Sequence, residues 1–465
     1  MNIGETVSRG VAWTTLGAIF NKLLILLNVF LILKHLSVYE YGLAELVFST
    51  VSTVGIILLP GLSSTLIADM GVERARGDIN RMKSLFTHYG ILMAILGCIA
   101  FSILFFAAAP VAALLHSPSV GHLLAIVSFT FLIAPLRTLS ILIATVEARF
   151  VDQAVYSIAE EVAKACFLLL FFFVLGKGPE GLLYAYVLSP FVAVLVFIPR
   201  TLSGYRHFSH GIITERFNFL KLLSTHRKWS VASSYVGTLT QNAQIWIIRL
   251  LLGTEAVGLY AFASGIFSNV SSLLPLTGML SSLAPRYSQK KDSLAKILRI
   301  SIKAQFILGI VLIVTAISTL PILIWFLPKY APALPLAYLM LFVIIPTSIY
   351  GTFTPVFATL KEQFSFLQSY VFKLVLTVIF IPISILNFGI IGIGIGSVFI
   401  NSLSGVERYI RLRKVFPELK LTYKDFFTIQ QSEYVFMLGL IKKIILRTPL
   451  PVSVPESTNE ISKPK

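Results

Sequence analysis

Charge is what this chain has least of. Asp, Glu, Lys and Arg make up 13% of its 465 residues, against about 25% in an ordinary soluble protein. Hydrophobic residues make up 56% and mean hydropathy is +0.85, so the outer surface has to face lipid. Cysteine is nearly absent. Cys98 and Cys166 both lie inside apolar runs, which implies no disulfide framework and says little about redox compartment. Also missing are a Walker loop, a His–Glu metal cluster, a nucleotide fingerprint and a nucleophile elbow. The run Gly389 to Gly396 lies inside an apolar segment and reads as small-residue helix packing, not as a phosphate loop. Neither catalysis nor a cofactor or metal is expected.

What is present is a repeat, the feature to look for before any other. Sliding Trp13–Ala68 by 216 positions onto Trp229–Ala284 matches Trp13 with Trp229, Leu36 with Leu252, Gly42-Leu43 with Gly258-Leu259 and Ser52 with Ser268. A second match, Ala144 to Phe150 with Tyr156 on Ala358 to Phe364 with Tyr370, has an offset of 214. The chain reads as one unit of roughly 215 residues written twice.

Runs long enough for a hydrocarbon core of about 30 Å fall near 10–33, 42–68, 87–114, 121–144, 157–175 and 182–199. The second half gives 229–252, 258–284, 301–327, 335–360, 366–386 and 390–407. No separate signal peptide is expected, because Gly10 to Leu33 is too long for an h-region and no small-residue cleavage site follows it. Without water to satisfy their backbone groups these segments should be helices. The predicted fold is all-α and polytopic, with twelve membrane spans in two six-helix repeats of the same orientation around a central cavity.

The loops give the orientation. Arg9, the Arg74–Lys83 loop, Arg149, the 200–228 segment, the Arg286–Arg299 loop, Lys361 and the tail from Arg408 all fall on one side. The other side offers Lys34, Lys177 and Lys329. That asymmetry predicts a plasma-membrane protein with both termini in the cytosol, and it accounts for most of the net charge of +17 without nucleic acid as a partner. The expected organisation is a first repeat over 1–199, a basic cytosolic linker over 200–228 and a second repeat over 229–407. A basic segment over 408–447 follows, with an interfacial helix near 434–446, and then a disordered tail over 448–465.

Certain stretches now carry a likeness. These are Gly10-Val11-Ala12-Trp13, Leu36-Ser37-Val38-Tyr39-Glu40-Tyr41-Gly42, its repeat copy Leu252 to Tyr260, and Arg74-Ala75-Arg76-Gly77-Asp78. With the six-plus-six plan, they make the chain resemble, over about residues 7–415, the polysaccharide flippases of the multidrug/oligosaccharidyl-lipid/polysaccharide exporter superfamily. The resemblance implies transport of polyprenyl-linked sugars across a membrane. Relatives often carry an acid in span 7, where this chain has Gln241, Asn242 and Gln244, so an acid-dependent ion site is not expected there.

A charge inside a span costs about 2.5–3.5 kcal/mol on insertion scales and by default marks a pathway. Lys22, on a face with Asn21 and Asn28, and Arg137, mid-span 4, are the leading candidates for cargo contact. Lys164 and Lys373 follow, with snorkelling to the interface as the competing role, and Lys303 is expected to snorkel. Asn242, Trp246 and Arg249 share a stripe suited to a phosphate-linked sugar or to an interfacial anchor. Glu45 is the weak candidate for ion coupling, and Glu160-Glu161 should pair with Lys164.

A cavity basic on balance suits an anionic cargo. The expected function is therefore a flippase moving polyprenyl-pyrophosphate-linked oligosaccharide outward by alternating access. Its partners would be that lipid-linked anionic glycan, membrane lipids, a proton or sodium ion if coupled, and a glycan polymerase or glycosyltransferases. The rivals are an ion-coupled exporter of cationic drugs, which would want acids in the cavity, and a non-transporting membrane scaffold for glycosyltransferases.

Overall fold

Helix starts follow the capping chemistry of the sequence. Before α2 (Val38–Gly55), the Ser37 hydroxyl accepts from the Glu40 N–H, and the Glu40 carboxylate accepts from the Ser37 N–H at 2.8 Å. That reciprocal capping box satisfies two donors that a helix start leaves unpaired. The computed structural model describes residues 3–58, 60–114, 118–147, 149–213, 227–274 and 291–421, with Leu280 and Ala284. All its regular elements are helices among the described residues.

The first half runs α1 (Ile3–His35), α2, α3 (Pro60–Arg76), α4 (Ile79–Leu114), α5 (Pro118–Ser128), α6 (Thr130–Val146), α7 (Phe150–Leu169) and α8 (Pro179–Arg206). The second runs α9 (Arg227–Leu252), α10 (Thr254–Ser271), α11 (Lys291–Phe326), α12 (Leu334–Phe342), α13 (Ile344–Tyr350), α14 (Phe353–Thr359) and α15 (Gln363–Val415). Among the described residues, 7 helical stretches are long and apolar enough to cross a membrane.

Several boundaries differ from the sequence reading. Residues 200–206, expected in the linker, continue α8 as helix. Helix α10 stops at Ser271, so the later part of the run expected over 258–284 lies mostly outside the described residues, as do Arg216, the 434–446 helix and the 448–465 tail. α15 is two limbs folded at Gly389, whose φ of 59° lies in the left-handed region that glycine tolerates. A Cβ at Gly392 would lie 1.9 Å from the Ser384 carbonyl oxygen, so small residues here do let two limbs approach closely.

Each half has its own buried clusters, within 32–208 for the first and mainly within 245–419 for the second. The halves meet where α2 crosses α10. A Cβ on Gly42 would lie 2.1 Å from the Thr254 carbonyl oxygen, and one on Gly258 2.0 Å from that of Val38. Thr254 and Val38 are also 216 positions apart, so the contact repeats the sequence offset in space.

The loop charges sort to two ends. At one, Arg74 pairs with Glu147 at 2.9 Å, and Arg149 and Arg200 both reach Asp152. At the other, the Lys329 ammonium donates to the carbonyls of Lys34 and Leu36, and Tyr330 stacks on Phe262 at 4.7 Å. Leu33 and Val38 join Phe262, Leu327 and Tyr330 in a buried cluster that joins both halves at this Lys329 end.

Candidate functional site

Three helices bring polar stripes to one space because their sequences carry them at helical spacing inside apolar runs. α2 supplies Tyr41, Glu45, Ser49 and Ser52, and α10 supplies Tyr260, Ser264 and Ser268. α9 supplies Gln241, Asn242 and Gln244, while Thr347 and Tyr350 of α13 and Lys373, Ser397 and Asn401 of α15 close the far wall. The cavity measures about 620 Å³. Its titratable lining, tyrosines aside, is one carboxylate, Glu45, and one ammonium, Lys373.

Hydrogen bonds fix this lining. Asn242 Nδ2 donates to Thr53 Oγ1 at 2.7 Å, tying α9 to α2 across the halves. Gln244 Nε2 donates to Ser397 Oγ at 2.9 Å. Asn401 Oδ1 accepts from both Lys373 Nζ at 2.8 Å and the Tyr350 hydroxyl at 2.7 Å. Lys22, half-buried on α1, donates to Asn269 Oδ1 at 2.8 Å and Ser272 Oγ at 3.0 Å, another polar tie between the halves.

The structure thus brings Asn242, Lys373 and Glu45 to one cavity, with Lys22 clasping the adjoining α10. The remaining candidates go elsewhere. Arg137, read as an unpaired charge on the pathway, is exposed and pairs with Glu160 at 3.0 Å, off the cavity. The sequence could not supply this partner, because it stands 23 residues away on another helix. Lys164 is buried, pairs with Glu161 at 2.7 Å as expected and stands over the Tyr186 ring at 4.6 Å. Asn28 donates to the same Glu161. Trp246 packs on the core of the second half, and Arg249 is half-buried and does not line the cavity. Lys303, expected to snorkel, is 5% exposed, so packing and not the headgroup region surrounds it.

The lining is therefore balanced, not basic, because Arg137 and Lys164 face carboxylates on α7. Sequence reasoning passed over Thr53, Asn269, Tyr350, Ser397, Asn401 and Arg408. The signal for the last three was available: Ser397, Asn401, Ser404 and Arg408 repeat at helical spacing within an apolar run and are all buried. Among the described residues no cluster of His, Cys, Asp and Glu could hold a metal ion.

Comparison with known proteins gives two kinds of likeness. A family model described as polysaccharide biosynthesis protein matches residues 7–291. No curated protein matches the chain. Among solved structures, the inward-facing conformation of a multidrug resistance MATE family transporter of the MOP superfamily superposes with a TM-score of 0.72 at 15% identity, covering 86% of this chain and 96% of that one. A MATE transporter in complex with MaD3S gives 0.67 at 16%, covering 90% and 98%. A MOP superfamily transporter from Pyrococcus furiosus, described as having a binding pocket of reverse polarity, gives 0.67 at 17%, covering 91% and 98%. At these identities the likeness is one of fold.

Proposed function

The chain belongs to the polysaccharide biosynthesis protein family, and on that premise we propose that this multi-pass membrane transporter is a flippase for polyprenyl-pyrophosphate-linked oligosaccharide. It carries the glycan from the cytosolic to the outer leaflet by alternating access. The observation that carries the reading is the cavity between the halves, rich in amides and hydroxyls, beside an apolar cluster that joins both halves at the Lys329 end. Sugars bind through many directional hydrogen bonds of this kind, and Gln241, Gln244, Ser264 and Asn401 offer donors and acceptors together. In this reading the Lys329 end is outside, the ends of α6 and α8 that bear Glu147 and Arg200 are cytosolic, and Lys22, Asn242 and Lys373 meet the cargo.

The cycle follows from the two halves rocking about the α2–α10 crossing, with the polyprenyl tail left in lipid. No nucleotide-binding element supplies energy, so the cargo gradient or an ion gradient does, with Glu45 the carboxylate placed to take part. The test is a fluorescent short-chain polyprenyl-diphosphate disaccharide in proteoliposomes, read as protection from an impermeant quencher. Protein-dependent loss of protection supports the flippase. Protection unchanged by protein, with uptake of a cationic dye instead, favours the exporter of cationic drugs, to which the cavity carboxylate Glu45 gives some ground. Neither movement, with glycosyltransferases retained on the liposomes, favours the scaffold.

A further inference from the structure

Arg408 lies near the end of the second limb of α15, where a membrane arginine would ordinarily reach for the headgroups. It does not. Its side chain is 3% exposed, and its guanidinium is held over three rings: Tyr350 at 4.7 Å, Tyr370 at 4.8 Å and Phe366 at 5.2 Å. Rings stabilise the charge but accept few of its five N–H donors. Among the described residues the buried Nε has no hydrogen-bond partner, nor has the buried Ser404 hydroxyl one turn before it on the same stripe. Glu407, its chain neighbour, pairs through Oε1 with Arg411, and its Oε2 has no hydrogen-bond partner among the described residues. Lys373 stands over the same Tyr350 ring at 5.9 Å and, among the described residues, donates to the neutral Asn401.

Two cations thus share one aromatic wall with no carboxylate between them among the described residues, and unused donors point to an acceptor-rich anion. Depth narrows the choice. At ~1.5 Å per residue, Lys373 and Arg408 lie about 24 and 28 Å along their limbs from the Gly389 turn, toward the far edge of a hydrocarbon core of about 30 Å. Lys373 also lines the cavity.

We propose that Arg408 and Ser404, buried behind the part of the cavity wall that Lys373 lines, form with Lys373 a phosphate-binding site, which takes the diphosphate of the lipid-linked cargo as it enters. The proposal rests on the flippase reading for its cargo, but the site's phosphate chemistry stands separately. The planar guanidinium offers a forked pair of donors that matches phosphate oxygens, the ammonium a second charge for a dianion, and the serine a further donor.

The test uses the full chain in nanodiscs, with a short-chain polyprenyl diphosphate and inorganic pyrophosphate as probes, followed by tryptophan fluorescence. Wild type should bind both, and Arg408→Gln and Lys373→Gln should each weaken binding about tenfold or more. Arg408→Lys should fall between, because it keeps the charge and loses the fork. Tighter binding of the lipid than of pyrophosphate assigns the site to a headgroup, and equal binding assigns it to a free phosphate anion. Should Arg408→Gln elute aggregated, Lys373→Gln and Ser404→Ala decide alone. Variants that bind like wild type overturn the site. Wild-type translocation with unaltered variant binding sinks the site and spares the flippase. Arg408-dependent binding without translocation does the reverse.

Discussion

Gly42 and Gly258 occupy the same place in the two halves, and each presents its bare Cα to the other helix's backbone, Gly42 to Thr254 and Gly258 to Val38. A methyl at either position meets a carbonyl oxygen that cannot swing aside. Overpacking costs about 1–3 kcal/mol, which here must be relieved by parting α2 from α10. Gly42→Ala and Gly258→Ala should therefore favour the state open at the Lys329 end. A cysteine at the cavity position Ser264 should then react faster with an impermeant thiol reagent applied from that side. Unchanged reactivity in both variants would show that the crossing does not close the cavity.

Lys22 has two partners on α10, and one experiment separates a clasp from a cargo contact. Lys22→Ala should reduce glycan export to near background at normal protein level. Asn269→Ala, which removes one acceptor and leaves the cation, should only weaken it. Equal, non-additive losses in the singles and the double would assign Lys22 to clasping alone.

Arg137 answers to Glu160. Arg137→Ala leaves that carboxylate unpaired, at up to about 2.5–3.5 kcal/mol if it sits deep in the bilayer, so thermal stability in detergent should fall. Glu160→Gln in the same background should restore both stability and export. Export lost in the double variant, with stability recovered, would return Arg137 to the transport path.

Glu45→Gln keeps the shape of the only carboxylate that lines the cavity among the described residues and removes its charge. Glycan export driven by the cargo gradient should stay close to wild type, measured as surface polysaccharide at matched protein level. Export lost altogether would make Glu45 the coupling site.

Cysteines at Ser119 and Lys177, both exposed, should label from outside intact cells, and one at exposed His210 should not. Gly253, in a loop expected on the same side as Lys177, is a poor probe position, because its φ of 91° strains any side chain. Labelling at His210 in intact cells would reverse the orientation.

The helical class, the two ends and the crossing point were all legible in the sequence, because each depends on local pattern: apolar run length, loop charge, and a Gly-Leu pair repeated at a fixed offset. Partners were not. Arg137 with Glu160, and Lys22 with Asn269, join residues on different helices, and nothing in either neighbourhood names the other. Lys303, expected to snorkel, is buried, and Arg408 reads in the sequence only as the start of the basic tail. A cation near a helix end reads as snorkelling until the surrounding side chains are known, and here Tyr350, Tyr370 and Phe366 come from two elements to enclose Arg408. The serine and asparagine stripe leading to it was the clue that could have been used.

The glycine crossing is isologous: one patch meets its own counterpart, residue for residue, as at the interface of a C2 homodimer. A change in one half therefore alters only one of two equivalent contacts, whereas in a true dimer it would alter both. Fusing the halves into one chain frees each side to diverge, and this molecule has used that freedom. Glu45 lines the cavity from α2, while its counterpart on α10, 216 positions on, is Ala261.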